Sequence, residues 1–216
     1  MNFSISALQL TRVVSHSPFI VKSAARGFRN VLFSSLKISK FANSFASLAM
    51  QNSRFQLSKS SFSDSLNSAI VLSSASYSSH AEFLRITSSF EITTSNFTGL
   101  RSTSSGAAVS VTGDSIVGTI SNTAFVNNSA YMGGALSFES ALGNLSISNA
   151  FFYNNSAIYG AHGYFSCAQL ISTYSNYDFG NGTSFIHIFG DVVALFASTI
   201  MYRNRGTFSG TNNALS

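Results

Sequence analysis

The chain has 216 residues, 45% of them hydrophobic and only 9% charged, with 21 Phe, one Pro, one Cys and no Trp. A single Cys excludes an internal disulfide framework, and no apolar run approaches the roughly 18 residues of a membrane-spanning helix. The net charge of +5 comes from dispersed Lys and Arg rather than a basic cluster on a readable motif, so nucleic acid is not an expected partner.

The segment 1–63 holds Arg12, Lys22, Arg26, Arg29, Lys37, Lys40, Arg54 and Lys59 and no acid, whereas the remainder holds four basic residues and all seven acids. A basic, Ser-rich, acid-free leader has the composition of a mitochondrial transit peptide. Degenerate copies of a repeat fit residues 1–61 better, because Phe28-Arg-Asn30 and Phe41-Ala-Asn43 echo a Phe-x-Asn pattern and Leu36-Lys-Ile38-Ser-Lys40-Phe41 alternates like a strand. Residues 1–11 lack the basic and sustained apolar regions of a secretory signal.

Between residues 106 and 201 the chain repeats itself with a step of 27. Ile120, Ile147, Tyr174 and Met201 keep that step, as do Phe125, Phe152 and Phe179, and Asn127, Asn154 and Asn181. Val111, Phe138, Phe165 and Val192 keep it too, and so do Gly106, Gly133 and Gly160. A fixed period of this size marks a chain that stacks one supersecondary unit on the next. Within a unit the apolar residues lie two apart (Val109 and Val111, Leu136 and Phe138, Leu145 and Ile147), which is the period of a strand with one buried face. Asn-Asn and Gly-Gly pairs punctuate the runs with residues that tolerate positive φ. Helical solenoids need long amphipathic stretches rich in good helix formers, and this Ser-, Asn- and Phe-rich chain lacks them. An all-β fold is expected: a parallel β-helix of about 27 residues per coil with three short strands in each, best formed over residues 62–205. Strands stacked about 4.8 Å apart place like residues over one another. Phe125, Phe152 and Phe179 are therefore expected as an aromatic ladder, Asn127, Asn154 and Asn181 as a buried amide ladder, and Gly133 and Gly160 as turns.

The segments Phe125-Val-Asn-Asn128 and Phe152-Tyr-Asn-Asn155, with Gly133-Gly-Ala-Leu136 after the first, resemble the FxxN and GGA[ILV] motifs of polymorphic outer-membrane protein repeats. The resemblance covers residues 90–190 and implies a right-handed parallel β-helix displayed at a cell surface, acting in adhesion. It also implies a different register, since its motif asparagine falls on Asn128 and Asn155; the step of 27 favours Asn154 because that column continues as Asn181.

Right-handed β-helices also host pectin-cleaving enzymes of the pectin-lyase-like kind, which set several carboxylates on one face of adjacent coils. Of Asp64, Glu82, Glu91, Asp114, Glu139, Asp178 and Asp191, only Asp64 and Glu91 are 27 apart; of His16, His80, His162 and His187, only the last two are nearly so. Neither pair has a third partner at matching spacing for acid–base chemistry or metal binding, and no phosphate loop or Cys cluster is present. No catalytic, cofactor-binding or metal-binding residues are expected, and the expected partner is a glycan or protein on another surface. Asn-x-Ser/Thr sequons begin at Asn2, Asn96, Asn127, Asn144, Asn154 and Asn181 and are put down to composition, three of them falling in the column expected to be buried. Cys167 is expected as a small buried residue, and the repeats are expected to be truncated after Asn204.

Overall fold

The computed structural model describes residues 2–12, 18, 20–22, 30–74, 88–210 and 214–215, and those residues contain strands and no helix. His16, Phe28, His80 and Glu82 lie outside the described residues. Among the described residues every strand pairing is parallel, and the chain winds as a right-handed solenoid with three strand positions per coil. The first face stacks Asn2–Ser6, Asn30–Ser34, Arg54–Ser58, Ser88–Thr93, Ile116–Ser121, residues 144–148 and 169–173, and Val193–Ala197. The second is an eight-stranded sheet of three-residue strands from Gln9–Thr11 to Ile200–Tyr202. The third stacks Ala46–Met50, Ile70–Ser74, Val109–Thr112, and residues 136–140, 163–167 and 186–188. Leu136–Ser148 and Gly163–Thr173 run unbroken from the third face to the first.

The strands follow from alternation. In Arg54–Ser58, Ser88–Thr93 and Val109–Thr112 every second residue is buried, so one side of each strand meets the other two faces inside the coil. The register partners Asn2, Asn30, Arg54, Ser89, Val117, Asn144, Gln169 and Val193 mark seven coil steps of unequal length. Their mean is close to 27, yet only the step from Val117 to Asn144 equals it. The longest step, from Arg54 to Ser89, contains residues 75–87, which lie outside the described residues.

Two of the corners of a coil turn on a residue at positive φ. Lys59, Thr94, Asn122, Asn149, Tyr174 and Ser198 hold the corner between the first and second faces, and Lys40, Asp64, Gly99, Asn127, Asn154, Phe179 and Arg203 the corner after the second. This left-handed conformation suits Asn and Gly and strains the others. Just inside the first corner, the hydroxyls of Ser60, Ser95, Thr123, Ser175 and Thr199 each donate to the carbonyl two residues back. Three of them also accept a backbone N–H from the coil before, at Leu36, Ser60 and Ala150. Each coil thereby satisfies part of the backbone of its neighbour.

Candidate functional site

The core is organised by columns, and the first is aromatic. Phe62, Phe97, Phe125, Phe152 and Tyr177 are fully buried and stack nearly parallel, with successive centroids 5.3, 5.3, 4.7 and 4.6 Å apart. Phe125 and Phe152 take the places expected of them; Phe179 does not. The third member is Tyr177, the register partner of Phe152, and Phe179 sits at the following corner with φ 54°. The cause is coil length. The loop Ala141-Leu142-Gly143 is matched in the next coil by Ala168 alone, so a step of 27 overshoots by two. For the same reason Tyr174 leaves the Ile120–Ile147 column, where Ser172 stands; Ile188 replaces Val192 after Phe165 because two further residues are lost between Tyr177 and Ile186.

The amide column is likewise displaced. Asn127 and Asn154 are exposed at positive φ, joined on the surface by a 2.8 Å bond from the Asn154 amide to Asn127 Oδ1, and Asn181 is exposed on a different column, bridged to Ser156. The buried amides are their neighbours. Asn128 Nδ2 donates to the Phe97 carbonyl and its Oδ1 accepts from Leu100 N; Asn155 Nδ2 donates to the Phe125 carbonyl and its Oδ1 accepts from Asn128 N. Asn204 repeats the pattern with the Tyr177 carbonyl and Gly180 N. Strand alternation fails to find them because a left-handed residue intervenes and swings the next side chain inward. The reason for discounting the three sequon asparagines, burial, falls with this register. Gly106, Gly133 and Gly160 do align, each at positive φ where a Cβ would strike the carbonyl of the strand it precedes.

One member of the amide column is missing, because residue 180 is glycine. His162, fully buried, fills the place: Asn155 Nδ2 lies 3.2 Å from its Nδ1, and its Nε2 lies 2.8 Å from Asn204 Oδ1. An amide nitrogen donates and an amide oxygen accepts, so the ring is the neutral Nε2–H tautomer with both nitrogens satisfied. Burial holds its pKa down at about 4. A Cβ on Gly180 would stand 2.6 Å from the imidazole, so glycine here and histidine at 162 are one device. The corresponding places in earlier coils are Ala108 and Ala135.

The titratable pairs noted in the sequence do not meet. Glu91 lies on the first face, its carboxyl held low by hydrogen bonds from Gln56 (2.9 Å) and Arg54 (2.8 Å), whereas Asp64 turns the second corner. His162 faces inward and His187 lies on the outer side of the third face. Asp178 takes Arg203 in a two-pronged contact of 3.2 and 2.6 Å, with the guanidinium 3.9 Å above the Phe179 ring. Cys167 is buried, and desolvation pushes its thiol up to about 12, which makes it inert.

The outer surface carries a band of rings at the entry to the third face. Tyr131 meets Tyr159 edge-on at 6.3 Å, Tyr159 meets His187 at 5.6 Å, and His187 stacks on its register partner Tyr164 at 5.1 Å and 7°. Tyr131 and Tyr159 are 49% and 40% exposed, as is the intervening Ile158 at 45%, so the band is open to solvent. His187 Nδ1 is 2.7 Å from the Ser209 hydroxyl, and partial burial keeps the imidazole pKa below its usual value. Burial and the nearby Glu139 charge raise the Tyr164 phenol, and the Ser137 hydroxyl donates to Glu139 Oε1 at 3.2 Å. Beside the band, a shallow groove of about 450 Å³ is lined by Ser129, Ser156, Asn181, Thr183 and Ile158. Periodicity does not reveal this band, since its rings come from three coils at unequal spacing. Among the described residues, no three His, Cys, Asp or Glu side chains gather as a metal centre, and no helix is long and apolar enough to cross a membrane. No family model, no curated protein and no solved structure matches the chain.

Proposed function

We propose that this chain is a non-catalytic, surface-displayed binding module that engages a glycan or a protein on another surface. The observation that supports it most is the outer surface of the coils. Small polar side chains such as Ser129, Ser156, Asn181 and Thr183 line up across consecutive coils beside the solvent-open rings of Tyr131 and Tyr159. A rigid stack that repeats weak polar and ring contacts along its length gains affinity by adding them, with little ordering cost on binding. Surface display and adhesion rest on the resemblance of Phe125–Asn128, Phe152–Asn155 and Gly133–Leu136 to polymorphic outer-membrane protein repeats. Incubation of the full chain with plant and microbial polysaccharides and with cell-surface proteins tests the reading: saturable retention with the polymer chain length unchanged is expected. Shortening of polygalacturonate or any other polymer sinks it in favour of a pectin-lyase-like enzyme.

A further inference from the structure

We infer that the row Arg101–Ser129–Ser156–Asn181–Arg205 binds a linear acidic oligosaccharide laid along the solenoid axis, with a carboxylated sugar at each end of the row. The inference deepens the binding-module reading and rests on it. Strand register carries the argument. Arg101 is the bridge partner of Ser129, Ser129 of Ser156, Ser156 of Asn181, and Asn181 of Arg205. Each stands two residues beyond the left-handed corner residue of its coil, respectively Gly99, Asn127, Asn154, Phe179 and Arg203. Backbone bonds of 2.7–3.0 Å fix the row, the five N–H groups donating to the carbonyls of Ser65, Leu100, Asn128, Asn155 and Gly180 in turn. Register partners in a parallel ladder present their side chains on one side of the sheet. The row therefore faces outward as a unit, and its three middle members line the groove of about 450 Å³.

Charge names the class of ligand. Arg101 and Arg205 are exposed and stand at the two ends of the groove. The ion pairs among the described residues are Arg54–Glu91 and Arg203–Asp178, so neither end guanidinium has a carboxylate partner there. A guanidinium takes a carboxylate with two parallel hydrogen bonds. Between the ends lie the Ser129 and Ser156 hydroxyls and the Asn181 amide, which can bond the hydroxyls along the edge of a sugar chain. The exposed rings of Tyr131 and Tyr159 follow Ser129 and Ser156 by two and three residues and offer surface to the C–H faces.

Pitch separates a glycan from an acidic peptide. The row advances by one strand spacing per coil, about 4.8 Å, close to the length of one sugar in an extended chain; an extended peptide advances about 3.3–3.6 Å per residue and falls out of step. Four coil steps, on the order of 19 Å, then set Arg101 and Arg205 over the first and fifth sugars. The row also crosses the strands, whose backbone groups are already bonded to neighbouring coils, so a peptide finds no strand edge to extend.

The test titrates the full chain by calorimetry with hyaluronan hexasaccharide, in which the first and fifth sugars of an alternating chain carry carboxylates. Saturable binding that weakens in high salt is expected. The tetrasaccharide, too short to reach both arginines, and neutral cellohexaose are each expected to bind at least tenfold more weakly, and hexaglutamate likewise. Arg101→Gln and Arg205→Gln are each expected to weaken the hexasaccharide three- to tenfold with an unchanged melting temperature, and the pair more than tenfold. Lys37→Gln, on the second face, is expected to change nothing. Should either arginine variant fail to fold, the wild-type comparison of hexasaccharide with tetrasaccharide and cellohexaose decides. Hexasaccharide binding that the double variant retains overturns this site and leaves the module reading intact. Equal affinity for cellohexaose overturns the charge argument, and equal affinity for the tetrasaccharide overturns the two-ended row; either sinks the proposal. Tighter binding of hexaglutamate, or retention of a protein ligand without any acidic glycan, overturns the proposal while keeping a binding module. A shortened oligosaccharide overturns both.

Discussion

The coils between residues 116 and 155 and those from 163 to 204 solve the same packing problem with different residues. In the first region Phe stacks on Phe and Asn bonds to the coil above in a near copy of its neighbour; in the second, the coil steps are two to four positions shorter. At the start of the second region the loss falls at the corner between the third and first faces, where Ala168 alone replaces Ala141-Leu142-Gly143, and the strands keep their register on both sides of the deletion. The columns survive by substitution: Tyr177 takes over from Phe, with its hydroxyl 2.9 Å from that of Ser172, and the imidazole of His162 spans the gap that Gly180 leaves. A solenoid thus conserves the interaction at each level rather than the residue or the spacing.

The largest expected effect comes from breaking the column at the boundary of the two regions. Phe152 lies between Phe125 and Tyr177 at 4.7 and 4.6 Å and is fully buried. Phe152→Ala is expected to cost about 3–5 kcal/mol in denaturant unfolding. A variant with the wild-type midpoint shows that the stack does not hold the two regions together.

The amide column separates inner from outer asparagines next. Asn155→Ala removes the acceptor of Asn128 N, the donor to the Phe125 carbonyl and the donor to His162, all buried; about 3 kcal/mol of destabilisation is expected at 1–3 kcal/mol for each stranded group, tempered by local relaxation. Asn154→Ala loses an exposed amide bond and a residue tolerant of positive φ, an expected cost of about 1 kcal/mol. Equal losses at 154 and 155 refute the inner column.

His162 makes the second region sensitive to acid. Its folded pKa of about 4 lies below the unfolded value near 6.5, so the unfolded chain takes up the proton first. The stability it contributes is complete above pH 6.5 and is lost as pH falls to 4, about 3 kcal/mol for a shift of that size at 1.36 kcal/mol per unit. His162→Ala is expected to flatten that window in a urea titration and to be destabilising at neutral pH. Gly180→Asn alone is expected to clash, since its Cβ meets the imidazole. Gly180→Asn with His162→Ala rebuilds the arrangement of the first region and is expected to recover most of the loss, a non-additivity that a double-mutant cycle measures. Additive losses break the comparison.

Much of the fold was legible in the sequence because stacking forces like residues into register wherever neighbouring coils have equal length. Ile120 over Ile147, Phe125 over Phe152 and Gly133 over Gly160 are found at 27 for that reason. The amide register was not legible from alternation: the left-handed corner residue turns Asn128 and Asn155 inward, a break in the period of two that only the FxxN resemblance anticipated. Nor were Tyr177 and His162, because a two-residue shortening at a distant corner slides every later residue, and because a histidine replaces an asparagine from a different part of the coil. The outer band escaped for the opposite reason. Core columns recur under packing constraint, but Tyr131, Tyr159, Tyr164 and His187 lie on the outer surface and owe their contact to side-chain reach across coils.

The smallest expected effect tests the corner itself. Tyr174 occupies the left-handed place held by Asn122 and Asn149 in the first region, with φ 50° and its ring 73% exposed. Asn149 Nδ2 donates to Asn122 Oδ1 at 2.6 Å, and nothing of that kind continues to residue 174. Tyr174→Asn relieves a left-handed conformation that costs an aromatic residue about 1 kcal/mol and supplies an amide able to bond Asn149 Oδ1. A gain of about 0.5–1 kcal/mol is expected, read as a higher urea midpoint at unchanged slope. The reverse change in the regular region, Asn149→Tyr, is expected to cost a similar amount. If Tyr174→Asn instead destabilises, the tyrosine ring shields the shortened coil beneath it, and the irregular region owes part of its stability to the residue that looks least suited to its backbone.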